Sequence, residues 1–162
     1  MRHPYKESIQ QVQSALRVLG YQHQIVELPD DARTAQDAAN AIGCSQAQIA
    51  KSIIFRLERS GRPLLVVASG VNRVDVQKAS GLAGDTLAKA DADFVREHTG
   101  FVIGGVAPVG HKTPLATFID EDLLEFPTIW AAAGHPKAVF QLSPSELVAM
   151  TKGQVVNVCH RP

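Results

Sequence analysis

The chain has 162 residues, 45% hydrophobic and 20% charged, which is enough for one domain with a hydrophobic core and ordinary for globular proteins. Its 16 Lys and Arg balance its 16 Asp and Glu; this argues against a protein that coats long nucleic acids but leaves room for one that grips a nucleic-acid end. Two isolated cysteines, Cys44 and Cys159, make neither a disulfide framework nor a zinc site, residues 1–7 lack the apolar run of a signal peptide, and the most apolar stretch, 64–68, is too short to span a membrane, so the chain is expected to work in a reducing cytoplasm.

Ile9, Val12, Leu16 and Leu19 recur at helical spacing and predict a helix over 6–19, stopped by Gly20. Residues 21–28 read as a strand, followed by the turn Pro29-Asp30-Asp31. Thr34 is placed to cap a helix that carries Ala38, Ala39 and Ile42 and ends at Gly43. Ser45-Gln46-Ala47-Gln48 has the capping-box pattern, so a second short helix is expected, running into Lys51 and Ser52. Residues 53–57 and 64–69 read as strands joined through Ser60-Gly61-Arg62-Pro63. Residues 75–79 read as a helix closed near Gly81, and Asp91 caps another that runs through His98 to Gly100. Residues 101–103 read as a strand that enters a glycine-rich stretch. Further strands are expected at 116–119, 128–132, 139–142 and 155–158. Ser143-Pro144-Ser145-Glu146 is a helix start with a cap, a proline at the first position and a closing glutamate. Helices and strands are interspersed without repeat or linker, so one mixed α/β domain over 1–162 is the simplest architecture.

The most distinctive local feature is Gly104-Gly105-Val106-Ala107-Pro108-Val109-Gly110. Glycines let backbone N–H groups approach a ligand, and successive N–H groups can form a concavity for an anion. The stretch is neither a Walker loop nor a dinucleotide fingerprint, and by spacing alone a tight structural turn is the simpler reading. Lys51 stands where a short helix is expected to meet an apolar strand. There it could bind a phosphate or a developing oxyanion, or act as a base; a solvated lysine at a helix end is the plain alternative. The six histidines form no metal-binding pair, so no metal is expected. His135, on the turn Ala133-Gly134-His135-Pro136, is either a site residue or a polar loop residue. No serine stands in a GxSxG elbow, and Cys44 has no base beside it in sequence. Asp120-Glu121-Asp122 reads as an acidic helix start.

Taken in order, Ala50-Lys51-Ser52-Ile53-Ile54-Phe55, Thr99-Gly100-Phe101-Val102-Ile103 with the glycine stretch through Gly110, Phe118-Ile119-Asp120 and Ala133-Gly134-His135 resemble the YbaK family of aminoacyl-tRNA deacylases, relatives of the editing domain of bacterial prolyl-tRNA synthetases. The resemblance covers roughly Val12 to Val158. It implies a compact mixed β-sheet or partial barrel flanked by helices, with a pocket between Lys51 and the loop from Gly104 to Pro108. It implies Lys51 as the catalytic residue, holding the tRNA 3′ end. It implies a substrate site made by Ser52, Gly104, Gly105, Pro108, Gly110, Gly134 and His135, with no metal and no organic cofactor. Where cysteine-specific members carry a tyrosine, a serine and an aspartate, this chain has Leu28, Ala132 and Val139, which makes the pocket less polar. The expected function is hydrolysis in trans of mischarged aminoacyl-tRNA, with tRNA-Pro carrying a small wrong amino acid as the substrate. The expected partners are the tRNA acceptor end and an aminoacyl-tRNA synthetase, with no membrane. The alternatives are a non-catalytic module that binds aminoacyl-tRNA or another partner, and a small-molecule esterase or amidase.

Overall fold

A computed structural model describes residues 4–32 and 34–161. Met1–His3, read above as part of a start without a signal peptide, lie outside the described residues, as do Arg33 and Pro162. Helix α1 spans Pro4–Val18 and buries Val12 and Leu16 completely. Gly20 ends it, and the Tyr21 N–H closes back on the Leu16 carbonyl at 2.8 Å. That closure delays the next strand: β1 is only Ile25–Glu27, shorter than the expected 21–28. Helix α2, Ala35–Ile42, has the expected capping box, with Thr34 and Asp37 bonding each other's backbone N–H groups, and Gly43 ends it in the left-handed conformation.

Ser45–Gln48 closes its capping box over a single tight turn, Gln46–Gln48, and strand β2 runs Ile49–Leu57. Lys51 and Ser52 are strand residues, not the end of a helix. The cause is long-range pairing: β2 binds β3, Pro63–Ser69, along 50–56, and Ile49 and Ala50 bind Trp130 and Ala131 of strand β6, Ile129–Ala132. A lone helical turn cannot compete with two ladders. The helix-end alternative for Lys51 loses its basis.

Helix α3, Val76–Ala83, starts at the cap Asp75 and closes at Gly84 rather than Gly81. Strand β4, Leu87–Lys89, is absent from the sequence reading; it binds Phe55–Leu57 of β2. Helix α4, Ala92–Thr99, has the expected cap Asp91 and stop Gly100. Residues 101–103 are not a strand. Phe101 is buried, its N–H bound to the Thr99 hydroxyl, and Gly105 N–H turns back on the Val102 carbonyl at 2.9 Å. Strand β5 is Ala116–Asp120, followed by a 3-10 turn at Glu121–Glu125. Strand β7 (Ala138–Leu142), helix α5 (Pro144–Thr151) with its Ser143–Glu146 box, and strand β8 (Gln154–Val156) complete the chain.

The strands form one mixed sheet in the order β1-β7-β6-β2-β3-β5-β8, with β4 also on β2. The pairs β2/β6, β3/β5 and β5/β8 are parallel and the others antiparallel. Side chains of β3 alternate. Leu65 and Val67 enter the core with Val12, Leu16 and Phe140, while Leu64, Val66 and Ala68 pack with Ala79 of α3 and Val158. Burial on both faces explains why β3 reads as an unbroken apolar run.

One irregularity positions the site. β3 occupies one edge of β2 from Ala50 to Arg56. On the other edge, β6 reaches only Ile49 and Ala50, and β4 only Phe55–Leu57. Among the described residues no strand pairs with 51–54 there. This leaves a window in the sheet where alternate backbone groups of β2 are unpaired.

Candidate active site

Two cavities open on the window. One holds about 340 Å³ between Lys51, Phe55, Lys89, Ile103 and Val106; the other holds about 470 Å³ between Thr34, Trp130, Ala132, Lys137 and Val139. They share Lys51, Ser52 and Gly104 and no other residue.

Lys51 is held rather than loose. Its ammonium donates to the Asn72 carbonyl at 2.5 Å. The Asn72 amide in turn donates to Asp120 at 2.8 Å and to Asp122 at 2.7 Å. Asp120 is fully buried, and also accepts from Ser69 N–H, Asp122 N–H and the Cys159 thiol. Burial first, and the Asp120 charge second, push the Cys159 thiol up to about 12, so it stays protonated and can donate. Hydrogen bonds from Arg161 and then Asn72 hold the Asp122 carboxyl below the usual carboxylate range. The lysine thus rests on a chain of polar contacts anchored in the protein interior.

Ser52 Oγ is buried and has no hydrogen-bond partner among the described residues, while Ser52 itself lines both cavities. Such a hydroxyl is costly unless something binds it. The N–H groups of Gly104 and Val106 also find no backbone or side-chain acceptor among the described residues. Both residues border the smaller cavity. Positive charge, a free hydroxyl and two available N–H donors therefore meet in one place.

The remaining residues expected at the site divide into two groups. Ala132 and Val139 line the larger cavity. Leu28 and His135 line a separate space of about 90 Å³ with Glu27 and Asp30, and Lys137 borders both it and the larger cavity. Burial, then the nearby Lys137 charge, hold the His135 imidazole below the usual histidine range, which keeps it neutral at neutral pH. Gly105, Pro108, Gly110 and Gly134 line none of these three cavities. They pack the walls together: the Gly110 carbonyl accepts from the Gln11 side chain of α1, and a Cβ on Gly134 would lie 2.6 Å from the Ser8 carbonyl oxygen. Asn72, Lys89, Trp130 and Lys137 carry no motif that marks them as site residues, and Thr34 is marked only as a helix cap. Asp120 was seen only as a helix start and as part of the Phe118-Ile119-Asp120 resemblance; its place at the end of an apolar strand was the available signal.

A Cβ on Gly105 would lie 2.7 Å from His135 Cα, so the loop fits against the His135 turn with no space for a side chain. Gly105→Val is expected to push the two apart, lowering both the unfolding midpoint and the activity per folded molecule. A variant with wild-type melting and turnover would show that this contact is slack.

The sequence model of the aminoacyl-tRNA editing domain family matches residues 29–150, a span that contains Lys51, the glycine loop and His135. The chain belongs to this family. The editing domain is 30% identical to the uncharacterized protein YwhH of Bacillus subtilis over 94% of this chain and 97% of that one. It is similar to a solved structure described provisionally as a trans-editing enzyme for prolyl tRNA synthetase, with 45% identity, a TM-score of 0.92, and coverage of 99% of this chain and all of that one. EbsC of Enterococcus faecalis, named provisionally as a Cys-tRNA(Pro)/Cys-tRNA(Cys) deacylase, is 23% identical over 94% of this chain and 96% of its own. The editing domain is an aminoacyl-tRNA deacylase, an ester hydrolase of mixed α/β fold. Among its described residues no helix is long and apolar enough to cross a membrane, and no cluster of three or more His, Cys, Asp or Glu could hold a metal ion.

Proposed function

We propose that this editing domain acts in trans on mischarged tRNA of the prolyl system, in the cytoplasm, and releases small amino acids attached in error by a prolyl-tRNA synthetase. The observation that carries the reading is the sheet window where Lys51, Ser52 and Gly104 join two cavities. The ester carbonyl sits at that junction. Water attacks its carbon, and the electron pair of the carbonyl moves onto oxygen. The Gly104 and Val106 N–H groups stabilise the resulting oxyanion, an effect that in other enzymes reaches about 3 kcal/mol per donor. The carbon–oxygen bond to the ribose then breaks. The ribose oxygen takes up the proton shed by water, giving free amino acid and intact tRNA. Lys51 brings positive charge to the junction and holds the 3′ end. No covalent intermediate is required when nucleophile and ester are held in place.

Specificity follows from the walls of the acyl side. Ala32 and Val139 line the larger cavity and pack in one apolar cluster with Leu28, and Ala132 adds only a methyl group to the wall. Such walls distinguish ligands by about 1–3 kcal/mol for each methyl or hydroxyl. Alanine, serine and threonine are therefore all accepted, whereas the rigid ring of proline is spared. Deacylation rates of Ala-, Ser-, Thr-, Cys- and Pro-tRNA at equal enzyme test this. A preference above about a hundredfold for one small residue exceeds what apolar walls supply and rejects the broad specificity. Rapid cleavage of Pro-tRNA rejects the editing role.

A further inference from the structure

We propose that Arg161 is a positioning residue for deacylation, acting on Lys51 through Asp122 and Asn72. This assignment rests on the reading of Lys51 as the site lysine. The Lys51 ammonium donates to the Asn72 carbonyl, so its place depends on how the turn after β3 holds Asn72. The Asn72 N–H closes that turn on the Ser69 carbonyl at 2.9 Å. Its side-chain amide is gripped by two carboxylates, Asp120 at 2.8 Å and Asp122 at 2.7 Å. The two grips are not equally secure. Asp120 is fully buried, whereas the Asp122 side chain is 37% exposed and free to turn into water unless something holds it.

The segment 157–161 holds it. Asp75 N–H donates to the Val158 carbonyl at 2.7 Å and His160 N–H to the Arg73 carbonyl at 2.9 Å, on either side of a bridge between Val74 and Cys159. The segment therefore lies along residues 73–75, directly after Asn72, and it serves both carboxylates. The Cys159 thiol donates to Asp120, and the Arg161 guanidinium forks onto Asp122 at 2.7 Å and 3.2 Å. The same guanidinium reaches Glu121 at 3.1 Å, and its Nε donates to Asn157 at 3.2 Å. Such a fork fixes a carboxylate in orientation as well as in distance, which a point charge does not. Arg161 also offsets charge. Asp120, Glu121 and Asp122 are consecutive, and the first and last stand two hydrogen bonds from the Lys51 ammonium. Without the guanidinium their field would weaken the positive charge that Lys51 offers a substrate. The ion pair itself is partly exposed, with the Arg161 side chain 34% open, and pairs of this kind add little to stability. Its effect falls on where the Asn72 carbonyl sits, not on whether the domain folds.

The test is a double-mutant cycle. Deacylation of tRNA-Pro carrying alanine is measured for wild type, Arg161→Ala, Arg161→Lys, Lys51→Ala and the double variant Lys51→Ala with Arg161→Ala, each with a thermal melt. Arg161→Ala should lose at least about threefold in kcat/KM, a usual size for coupling between residues of one network. Its unfolding midpoint should fall by no more than about 4 °C. Arg161→Lys keeps the charge without the fork and should lie between wild type and Arg161→Ala. On the Lys51→Ala background the arginine change should cost under about 1.5-fold, because the group it positions is gone. The same threefold loss on both backgrounds overturns the proposal, since the arginine would then act independently of the lysine. So does an Arg161→Ala protein with wild-type kcat/KM, or one that fails to fold, which would make the residue structural. In those cases Lys51→Ala still shows its own loss, and the reading of the site stands. A Lys51→Ala protein with normal kcat/KM rejects that reading, and the proposal with it.

Discussion

Lys51→Ala is expected to retain its fold and lose at least about tenfold in kcat/KM for deacylation, equivalent to about 1.4 kcal/mol of transition-state stabilisation. Among the described residues the ammonium makes a single hydrogen bond, to the Asn72 carbonyl, and that part-buried oxygen can bind water once the ammonium is gone. Its contribution to the reaction is larger. It supplies charge at the junction of both cavities, where partial exclusion of water strengthens electrostatic interactions. Steady-state kinetics on one mischarged tRNA, with a thermal melt of the same preparation, check the prediction. A folded variant with near-normal kcat/KM removes Lys51 from the reaction.

Asp120→Ala should act chiefly on stability. The carboxylate is fully buried and accepts from two backbone N–H groups, the Asn72 amide and the Cys159 thiol. Alanine leaves the Ser69 and Asp122 N–H groups and the Cys159 thiol without this acceptor, and the Asn72 amide with Asp122 alone. Even with partial relaxation this costs about 3 kcal/mol or more. For a domain of this length that lowers the unfolding midpoint by about 6–12 °C. Asp120→Asn keeps one acceptor oxygen and should fall between. Because Asn72 carries Lys51, the folded fraction of Asp120→Ala should also turn over more slowly than wild type. An unfolding midpoint within a degree of wild type would show that water or a neighbouring group replaces the carboxylate.

What could be read from the sequence is what neighbouring residues decide among themselves. The starts at Thr34, Asp91 and Ser143 and the stops at Gly43 and Gly100 depend on side chains within a few positions. The run from Leu64 to Ala68 could be recognised as a strand because both of its faces are buried. The start of β2 could not be read locally. Ser45–Gln48 satisfies its capping box, and only Trp130 and Ala131, some eighty residues later, convert Ile49 and Ala50 into strand. Strand β4 is three residues long and carries no alternation to detect. At the site, Lys51 and Gly104 stand out in the sequence itself, the resemblance adds Ser52, and all three line both cavities. Asn72 and Lys89 carry no local motif. Their roles come from the turn after β3 and from the register of β4, which three-dimensional pairing alone supplies.

The interrupted edge of β2 also bears on how the protein avoids sticking to copies of itself. Unpaired strand edges ordinarily invite another chain to add a strand, and so seed aggregates. Here the unpaired stretch is confined to residues 51–54, blocked at one end by β6 and at the other by β4. A foreign strand would have to fit between these two without extending past either, which is shorter than most strands in folded proteins. An aminoacyl ester, only a few atoms long, meets no such obstacle. At this window the sheet can therefore show free backbone groups to a small ligand while leaving no room for a foreign strand.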